Sequence, residues 1–448
     1  MRTMKTFLFL LILPLTLAAD EVAVTVYNSN LGVISETRRL AFNQGVDRLA
    51  FRDVPTQIDA ASVRFELVSP GRQVSILEQN YAFDLVSPQQ MYQKYIDKEI
   101  ELIDKDGRLF AGTLLAYNSG AVTLLEESGR IKIVLLENIS EVNFPSLPDG
   151  LITRPTLFWV YESDYSGELE CRVGYQTGGM SWSAEYVGLL SSDESKLDLS
   201  GWASINNSSG KTYSEAKLKL VAGDISRAAP PPRAMTKGMA MAETSMGAGF
   251  EEKAFFEYHL YTLPRHATVA DKEIKQISLF DPAQTAAEKV FIYRPERHPT
   301  NVEVRLKFVN SRSGGLGMPL PGGRIRLFKA DDDGSVILLG EDRIKHTPRD
   351  EEVTVKVGNA FDVVAEERLM SQTRISAKVE DRQYEIEIRN RKETDITVTV
   401  EKRFYGYWEI NESNFAYRRK DANTVEFEIP VGAGQTEQLN CLARFTSR

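Results

Sequence analysis

The sequence predicts an all-β protein built from several β-sandwich and small-barrel domains in tandem, with one short helix and one disordered loop. The pattern is clearest in residues 167–223, where apolar and polar side chains alternate with the period of two that a half-buried strand requires. Turns rich in glycine and asparagine separate these strands at 176–179 and 206–210. The helix is predicted after Ser87, because a serine cap followed by Pro88 is typical of a helix start.

Breaks in this pattern divide the chain into five predicted segments. Prolines mark a joint at 145–155, and residues 228–250 are rich in methionine, proline and small residues, which predicts the disordered loop. The closely spaced short strands before the joint favour a small closed barrel. The segments are a signal peptide (1–19), an N-terminal β domain (20–90), a small SH3-like or Sm-like barrel (91–148), a central β domain (149–370) and a C-terminal immunoglobulin-like sandwich (371–448).

The N-terminus has the three parts of a secretory signal peptide. Arg2 and Lys5 supply positive charge, an apolar run follows at 7–17, and small residues end at Ala19. The other interpretation is a membrane anchor, but the apolar run is too short to span a bilayer. The sequence therefore predicts an exported protein, periplasmic or extracellular, that does not span the membrane.

The charge balance argues against nucleic acid as a partner. The 448 residues include 54 Lys and Arg against 63 Asp and Glu, which gives a net charge of −9. The small barrel is similar in pattern to barrels that bind RNA or peptides, but acidic side chains such as Glu99, Asp104 and Glu126 offset its lysines. We therefore expect the barrel to pack against another protein segment or to interact with one.

The two cysteines allow two interpretations. Cys171 shares a strand face with Leu169 and Val173, and Cys441 shares one with Ala443. In an exported protein, the two could form a disulfide between the central region and the last strand. They could also be two buried thiols, since unpaired cysteine is common inside proteins. The sequence leaves both interpretations open.

Two segments carry weak signals for metal ions. Four methionines lie in the low-complexity loop, where thioether sulfur would select Cu(I), and the alternative is a disordered loop rich in small residues. Alternate acids in a predicted hairpin turn would suit Ca²⁺, although Asp-Gly is itself a favoured turn and the distal glutamate of an EF-hand is missing. The candidate ligands are Met235, Met239, Met241 and Met246 for copper, and Asp331 and Asp333 for calcium.

The sequence contains no recognisable catalytic motif. It has four histidines, and it lacks the H-E-x-x-H, paired-cysteine, G-x-S-x-G, P-loop and dinucleotide-binding patterns. No catalytic residue and no cofactor are therefore predicted. A catalytic pair of carboxylates stays open, because only the fold sets the distance between two acids.

One succession of turns and strands carries a family resemblance. A strand ends in tyrosine, a G-x-x-W-x-x-x-Y segment follows, an apolar strand closes on an asparagine–glycine turn, and a Leu-x-Leu strand comes last. The residues are Tyr175, Gly179, Trp182, Tyr186, Asn207, Ser209, Gly210, Leu218 and Leu220. This pattern resembles the bacterial family called domain of unknown function 4139, over residues 20–90 and 150–448. Many members have Asp-Trp after the turn, where this chain has Lys211, Thr212 and Tyr213.

The resemblance implies no established activity. Some members of the family are labelled mucoidy inhibitor-like, which implies a tie to surface polysaccharide. The favoured function is a non-catalytic interaction or scaffold module, with an envelope protein or surface polysaccharide as its partner. The alternative is a hydrolase or binding protein for envelope carbohydrate or peptide. Acids in a cleft beside the tryptophans would favour the alternative, and buried tryptophans would favour the scaffold.

Overall fold

A computed structural model of the chain describes residues 21–148, 151–223 and 258–447, together with the backbone of 251–255. The predicted signal peptide and the low-complexity loop at 228–250 lie outside the described residues. Strands dominate the described residues, which contain a single α-helix, and the predicted all-β fold is confirmed. No helix in this part of the chain is long and apolar enough to cross a membrane.

The first part of the chain contains ten strands and the helix, which are separated by short turns. The elements that precede the barrel are β1 (Glu21–Tyr27), β2 (Gly32–Phe42), β3 (Gly45–Arg52), β4 (Ile58–Leu67), β5 (Val74–Ala82) and α1 (Pro88–Lys94). The barrel strands are β6 (Glu99–Asp104), β7 (Leu109–Tyr117), β8 (Ala121–Leu125), β9 (Ile131–Leu135) and β10 (Ile139–Asn143), with a 3₁₀ turn (Leu136–Asn138) between the last two.

The later strands are longer. The central ones are β11 (Thr156–Ser163), β12 (Gly167–Thr177), β13 (Met180–Leu190), β14 (Lys196–Asn207), β15 (Tyr213–Ala222), β16 (Glu251–Phe255), β17 (Tyr258–Val269) and β18 (Glu273–Ala286). The remaining ones are β19 (Glu288–Tyr293), β20 (Asn301–Val309), β21 (Gly323–Ala330), β22 (Val336–Ile344), β23 (Glu352–Arg374), β24 (Val379–Asn390), β25 (Ile396–Arg403), β26 (Tyr407–Ser413), β27 (Tyr417–Arg419), β28 (Thr424–Val431) and β29 (Thr436–Thr446).

The N-terminal and central strands share two sheets. A seven-stranded sheet has the order β16-β17-β15-β1-β2-β12-β4, and a three-stranded sheet has the order β3-β11-β5. β1 pairs in parallel with β15, so that Val24 lies opposite Leu218, and it pairs antiparallel with β2. The first strand of the described chain therefore lies in the middle of a sheet that combines β2 and β4 with four strands of the predicted central segment.

Two further sheets contain the rest of the central and C-terminal strands. Their orders are β18-β14-β13-β21-β22 and β26-β29-β24-β23-β20-β19-β25-β28-β27. The predicted sandwich begins at residue 371, yet the nine-stranded sheet includes β19 and β20, which precede it. Hydrogen-bonded ladders thus join the predicted N-terminal, central and C-terminal segments. The sequence did not predict this pairing, because alternation along one strand does not specify which strand lies beside it. The division into folding domains stays a prediction.

The small barrel has a sheet of its own, with the order β10-β6-β7-β8-β9. β9 and β10 lie at the two ends of this order, so the ladder is not closed by hydrogen bonds. The predicted helix α1 covers its core: Tyr92 is buried and stacks on Tyr117 with ring centroids 4.3 Å apart. The helix begins as its sequence indicates, since the Ser87 hydroxyl accepts a hydrogen bond from the Gln90 amide at 3.2 Å.

Two buried tyrosines of the largest core form hydrogen bonds with the loop that precedes β21. The Tyr186 hydroxyl donates to the carbonyl oxygen of Pro321 at 2.8 Å, and the Tyr261 hydroxyl donates to that of Pro319 at 2.9 Å. Both rings are fully buried, and the carbonyl groups satisfy hydroxyls that would otherwise be costly to bury. The proline-rich loop before β21 is thereby held against β13 and β17.

Gly323 lies where the parallel strands β13 and β21 approach each other closely. A Cβ atom added there would come within 2.1 Å of the carbonyl oxygen of Ala184. We expect Gly323→Ala to lower the free energy of unfolding by about 2 kcal/mol, because the ladder must shift to relieve the clash. Urea unfolding measures this change.

The matched control is Gly358→Ala in β23. A Cβ atom added at Gly358 meets no heavy atom within 4 Å. This substitution should change the free energy of unfolding by less than about 1 kcal/mol. Equal losses for the two variants would contradict the close approach at Gly323.

Candidate functional site

The turn after β14 folds around the side chain of Asn207. Its amide nitrogen donates to the carbonyl oxygens of Lys211, at 2.8 Å, and Val269, at 3.1 Å, while its amide oxygen accepts from the backbone and hydroxyl of Ser209. Gly210 has a φ of +88°, and a Cβ atom added there would be 2.1 Å from the Thr56 hydroxyl. The asparagine, serine and glycine of this turn are therefore structural requirements.

This turn directs Lys211 into a buried cluster of charges. Its ammonium group donates to Glu36 Oε1 at 2.7 Å, and the Tyr175 hydroxyl donates to the same oxygen. Arg38 donates through Nε to Glu36 Oε2 at 2.8 Å and through a second nitrogen as well. Asp53, at the surface, lies 4.0 Å from the Lys211 ammonium. We call Glu36, Arg38, Tyr175, Lys211 and Asp53 the buried charge cluster.

Two cations and one buried carboxylate set the electrostatics of this cluster. Burial opposes ionisation of Glu36, but the attraction of Lys211 and Arg38 and the hydrogen bonds outweigh it, so the pKa of Glu36 lies below its usual value of 4.5. Burial lowers the pKa of Lys211, and nearby Arg38 adds to this effect. Glu36 is therefore held as a carboxylate across the neutral pH range.

Tyr213 completes the surroundings of Lys211. The ammonium group of Lys211 lies 5.6 Å from the centroid of its ring. Tyr213 is buried, burial raises the pKa of its hydroxyl, and that hydroxyl has no hydrogen-bond partner among the described residues. Lys211 thus faces Glu36, and the ring of Tyr213 lies beside its ammonium group.

The buried charge cluster is suited to holding strands together rather than to catalysis. Its carboxylate is fully engaged by Lys211, Arg38 and Tyr175, and the side chains of Glu36 and Lys211 are both buried. It joins β2, β12 and the turn after β14. Sequence reasoning did not identify Glu36, although Glu36 follows the buried Ile34 on the inward face of β2.

Three of the four tryptophans are buried, and their indole N–H groups donate hydrogen bonds to other residues of the protein. Trp159 donates to the side chain of Gln79 at 2.8 Å, and Trp182 donates to the carbonyl oxygen of Val221 at 2.9 Å. Trp408 is buried as well, whereas Trp202 is half-buried. The faces of the three buried rings are not available for stacking on a sugar.

The structure brings no predicted metal ligands together. The four methionines lie outside the described residues. Asp331 and Asp333 lie in the turn between β21 and β22, where each accepts a backbone hydrogen bond, from Asp332 at 2.9 Å and Ser335 at 2.8 Å. Among the described residues, no group of three or more His, Cys, Asp or Glu side chains could hold a metal ion. Copper and calcium binding remain predictions.

Both cysteines are buried and free. Cys171 belongs to a small core with Phe42 and Tyr161, whereas Cys441 belongs to the core of the nine-stranded sheet. Burial raises the pKa of each thiol to about 12. Of the two interpretations that the sequence allowed, the structure has the buried thiols, and these are unreactive at neutral pH.

A cleft of about 520 Å³ lies over β19, β20, β23, β25 and β28 and is lined mainly by charged side chains. The buried acids in it are neutralised: Glu401 accepts from Arg294 at 2.6 Å and from Lys420 at 2.8 Å. Glu288 and Glu428 also line it. We call this region the charged cleft.

A second buried ion cluster lies at one end of the nine-stranded sheet. The ammonium group of Lys402 donates to Glu296 at 2.7 Å and to Glu367 at 2.9 Å. Burial raises the pKa of Glu367, whose second carboxylate oxygen has no hydrogen-bond partner among the described residues. The sequence carried no signal for this cluster, since the three residues belong to distant segments.

Removal of the carboxylate from the buried charge cluster should be costly. We expect Glu36→Gln to lower the free energy of unfolding by about 3 kcal/mol or more, because Lys211 and Arg38 would stay buried without their counter-charge. The control is Glu66→Gln, since Glu66 makes an exposed pair with Arg172 at 3.4 Å in the same sheet. Its effect should be within about 0.5 kcal/mol. Urea unfolding at pH 7 compares the two, and similar losses would contradict the assignment.

The same cluster predicts a dependence on pH. Because the pKa of Glu36 is lowered in the folded chain, its ionised form stabilises the protein above its usual pKa of 4.5, and this contribution is lost as the pH falls through the lowered value. The stability difference between the wild type and Glu36→Gln should therefore narrow below pH 4.5. A difference that stays constant on acidification would show that Glu36 does not change ionisation as described.

Comparison with known proteins assigns the turn and the strands around it to one sequence family. No curated protein matches the chain. A sequence model of the family described as "Domain of unknown function (DUF4139)" matches residues 171–404, just over half of the chain. The match includes Tyr175, the turn after β14 and Lys211, and it extends through β25. The chain therefore belongs to the DUF4139 family.

Proposed function

We propose that this protein is an exported, non-catalytic scaffold of the cell envelope that binds another protein through its small barrel. The observation that carries the proposal is the apolar outer face of β9. Ile131, Ile133 and Leu135 alternate along this strand and are 67%, 69% and 47% exposed. Isolated apolar residues are common on protein surfaces, but three in a row on one strand favour an interface.

The position of β9 supports an extended protein segment as the partner. β9 pairs with β8 and lies at the end of its sheet, and in the described part of the chain no strand pairs with its other edge. An edge strand offers unpaired backbone groups to an incoming strand, and the apolar side chains would give such a strand its specificity. Half-buried Leu125 and Thr123 on β8 extend the same face beside Ile131 and Ile133.

Export rests on the N-terminal sequence. The basic residues, the apolar run at 7–17 and the small residues that end at Ala19 are those of a secretory signal peptide. An exported scaffold would act in the periplasm or outside the cell. The buried tryptophans and the neutralised buried acids also support a scaffold, because neither is available to a substrate.

The second candidate function is a hydrolase or binding protein for envelope carbohydrate or peptide. The charged cleft favours it, since a polar groove with several acids is the kind of surface that binds sugars or peptides. Glu288 and Glu428 are the acids there for which no ion pair is present among the described residues. They are the residues to replace in a test of this function.

The scaffold proposal predicts a partner that depends on β9. The chain without its predicted signal peptide should retain a specific protein from solubilised envelope at physiological salt. Ile133→Lys should weaken this retention by about tenfold or more, because a charge would be buried in an apolar interface. Ile375→Lys, at an exposed isoleucine in the turn between β23 and β24, is the control and should retain the partner. Retention that is equal for all three proteins would exclude β9 as the interface.

The second candidate predicts a different result. If the charged cleft acts on carbohydrate, a panel of envelope glycans incubated with the protein should give shortened products, and Glu288→Gln combined with Glu428→Gln should abolish them. The scaffold proposal predicts no product for either protein. Chromatography of the glycans before and after incubation decides between these outcomes.

A further inference from the structure

A cavity lies where the two largest cores of the protein meet. Its volume is about 210 Å³, and its walls are mainly apolar. One side comes from the central sheet and the other from the nine-stranded sheet. The wall residues that matter most are Leu190, Leu327 and Leu339 on the first side, and Phe291, Leu306 and Val357 on the second. We call this space the seam cavity.

A bulge in β23 forms the mouth of the seam cavity. Asn301 on β20 lies opposite Val364, whereas Glu303, two residues further on, lies opposite Asn359. β23 therefore contains three residues more than its partner over this stretch. The bulge turns Phe361 outward, so that its side chain is 95% exposed although it lines the cavity. Bulges commonly redirect a side chain beside a binding site.

The rim of the seam cavity carries charges of both signs. Glu194 accepts hydrogen bonds from Lys289 and from Lys329, the latter at 2.7 Å, so two ammonium groups share one carboxylate. Asp362 and Lys392 are the other charged residues of the lining. Lys392 is half-buried and has no ion pair among the described residues, and Asp362 is exposed to solvent. The lining thus contains two cations and two anions, and Lys392 is the cation among them without an ion pair in the described part of the chain.

The bulge and Lys392 are tied to one another through the backbone. The amide of Arg391, the neighbour of Lys392, donates to the carbonyl oxygen of Asp362 at 2.7 Å. This bond fixes the loop that carries Lys392 against the bulge that carries Phe361. An ammonium group and an aromatic ring are thereby held at the same opening of an apolar cavity.

We propose that the seam cavity binds a small amphipathic carboxylate, with its apolar part inside, its edge against Phe361 and its carboxylate on Lys392. An exposed phenylalanine at the mouth of an apolar space is costly in water and favourable once an apolar ligand covers it. Lys392, which has no ion pair among the described residues, favours an anionic head group over a neutral or cationic one. This site is independent of β9 and of the charged cleft, so it goes beyond the scaffold function.

The volume limits the apolar part. A cavity of roughly 150 Å³ accepts a molecule of the size of benzene, so about 210 Å³ accommodates an apolar group of about eight carbon atoms. Octanoate is thus a suitable probe. Octan-1-ol and octylamine have the same chain with a neutral and a cationic head group, and they report how much the head group contributes.

Isothermal titration of the purified full chain tests the proposal. Octanoate should bind at one site, more tightly than octan-1-ol, and octylamine should bind most weakly. Lys392→Gln should weaken octanoate binding by about tenfold, the value of one charge-assisted hydrogen bond, and leave octan-1-ol unchanged. Phe361→Ala should weaken both by roughly threefold or more through lost apolar contact. Both side chains are away from the core, so the variants should fold.

Phe83→Ala is the matched control, since Phe83 is also an exposed phenylalanine but lies after β5, outside the lining of the seam cavity. It should bind octanoate as the wild type does. The proposal is overturned if octanoate does not bind at millimolar concentration, or if octylamine binds as tightly. It is also overturned if neither Lys392→Gln nor Phe361→Ala changes the affinity while the variants remain folded.

Discussion

The pairing of Glu36 with Lys211 is the interaction on which the arrangement of the first sheet depends. The two residues are 175 positions apart, and their side chains meet at 2.7 Å in the interior of the protein. A buried carboxylate is tolerated only when cations and donors replace its water, and Lys211, Arg38 and Tyr175 do so here. Lys211 directly follows the turn that the Asn207 side chain holds in place, and this turn includes the left-handed backbone of Gly210.

Alternation and turn chemistry were enough to predict the all-β class, the helix after Ser87 and the strands on either side of the turn at 206–210. These are local properties, set by side-chain period and by backbone conformation. The parallel pairing of β1 with β15 could not be predicted in this way, since one strand's pattern is compatible with many neighbours. The same limit applies to the nine-stranded sheet, whose strands lie on both sides of the predicted domain boundary after residue 370.

The candidate site shows that limit at the level of single residues. Asn207, Ser209 and Gly210 stood out in the sequence because their turn has a recognisable pattern, and the structure shows the hydrogen bonds that require them. Glu36 did not stand out, because an inward-facing acid in a strand becomes meaningful only when its distant partner is known.

The seam cavity lies beside β20 and β23, two strands that contribute side chains to both cores. Leu306 and Val355 pack in the first core, whereas Val302 and Val363 pack in the second. A strand pair that packs in two cores changes its twist between them, and the bulge in β23 provides this change. Side chains around the bulge cannot pack as closely as in a regular ladder, which leaves the seam cavity. A ligand bound there would contact both cores at once. It would stabilise their relative position by mass action, since it binds the folded arrangement alone.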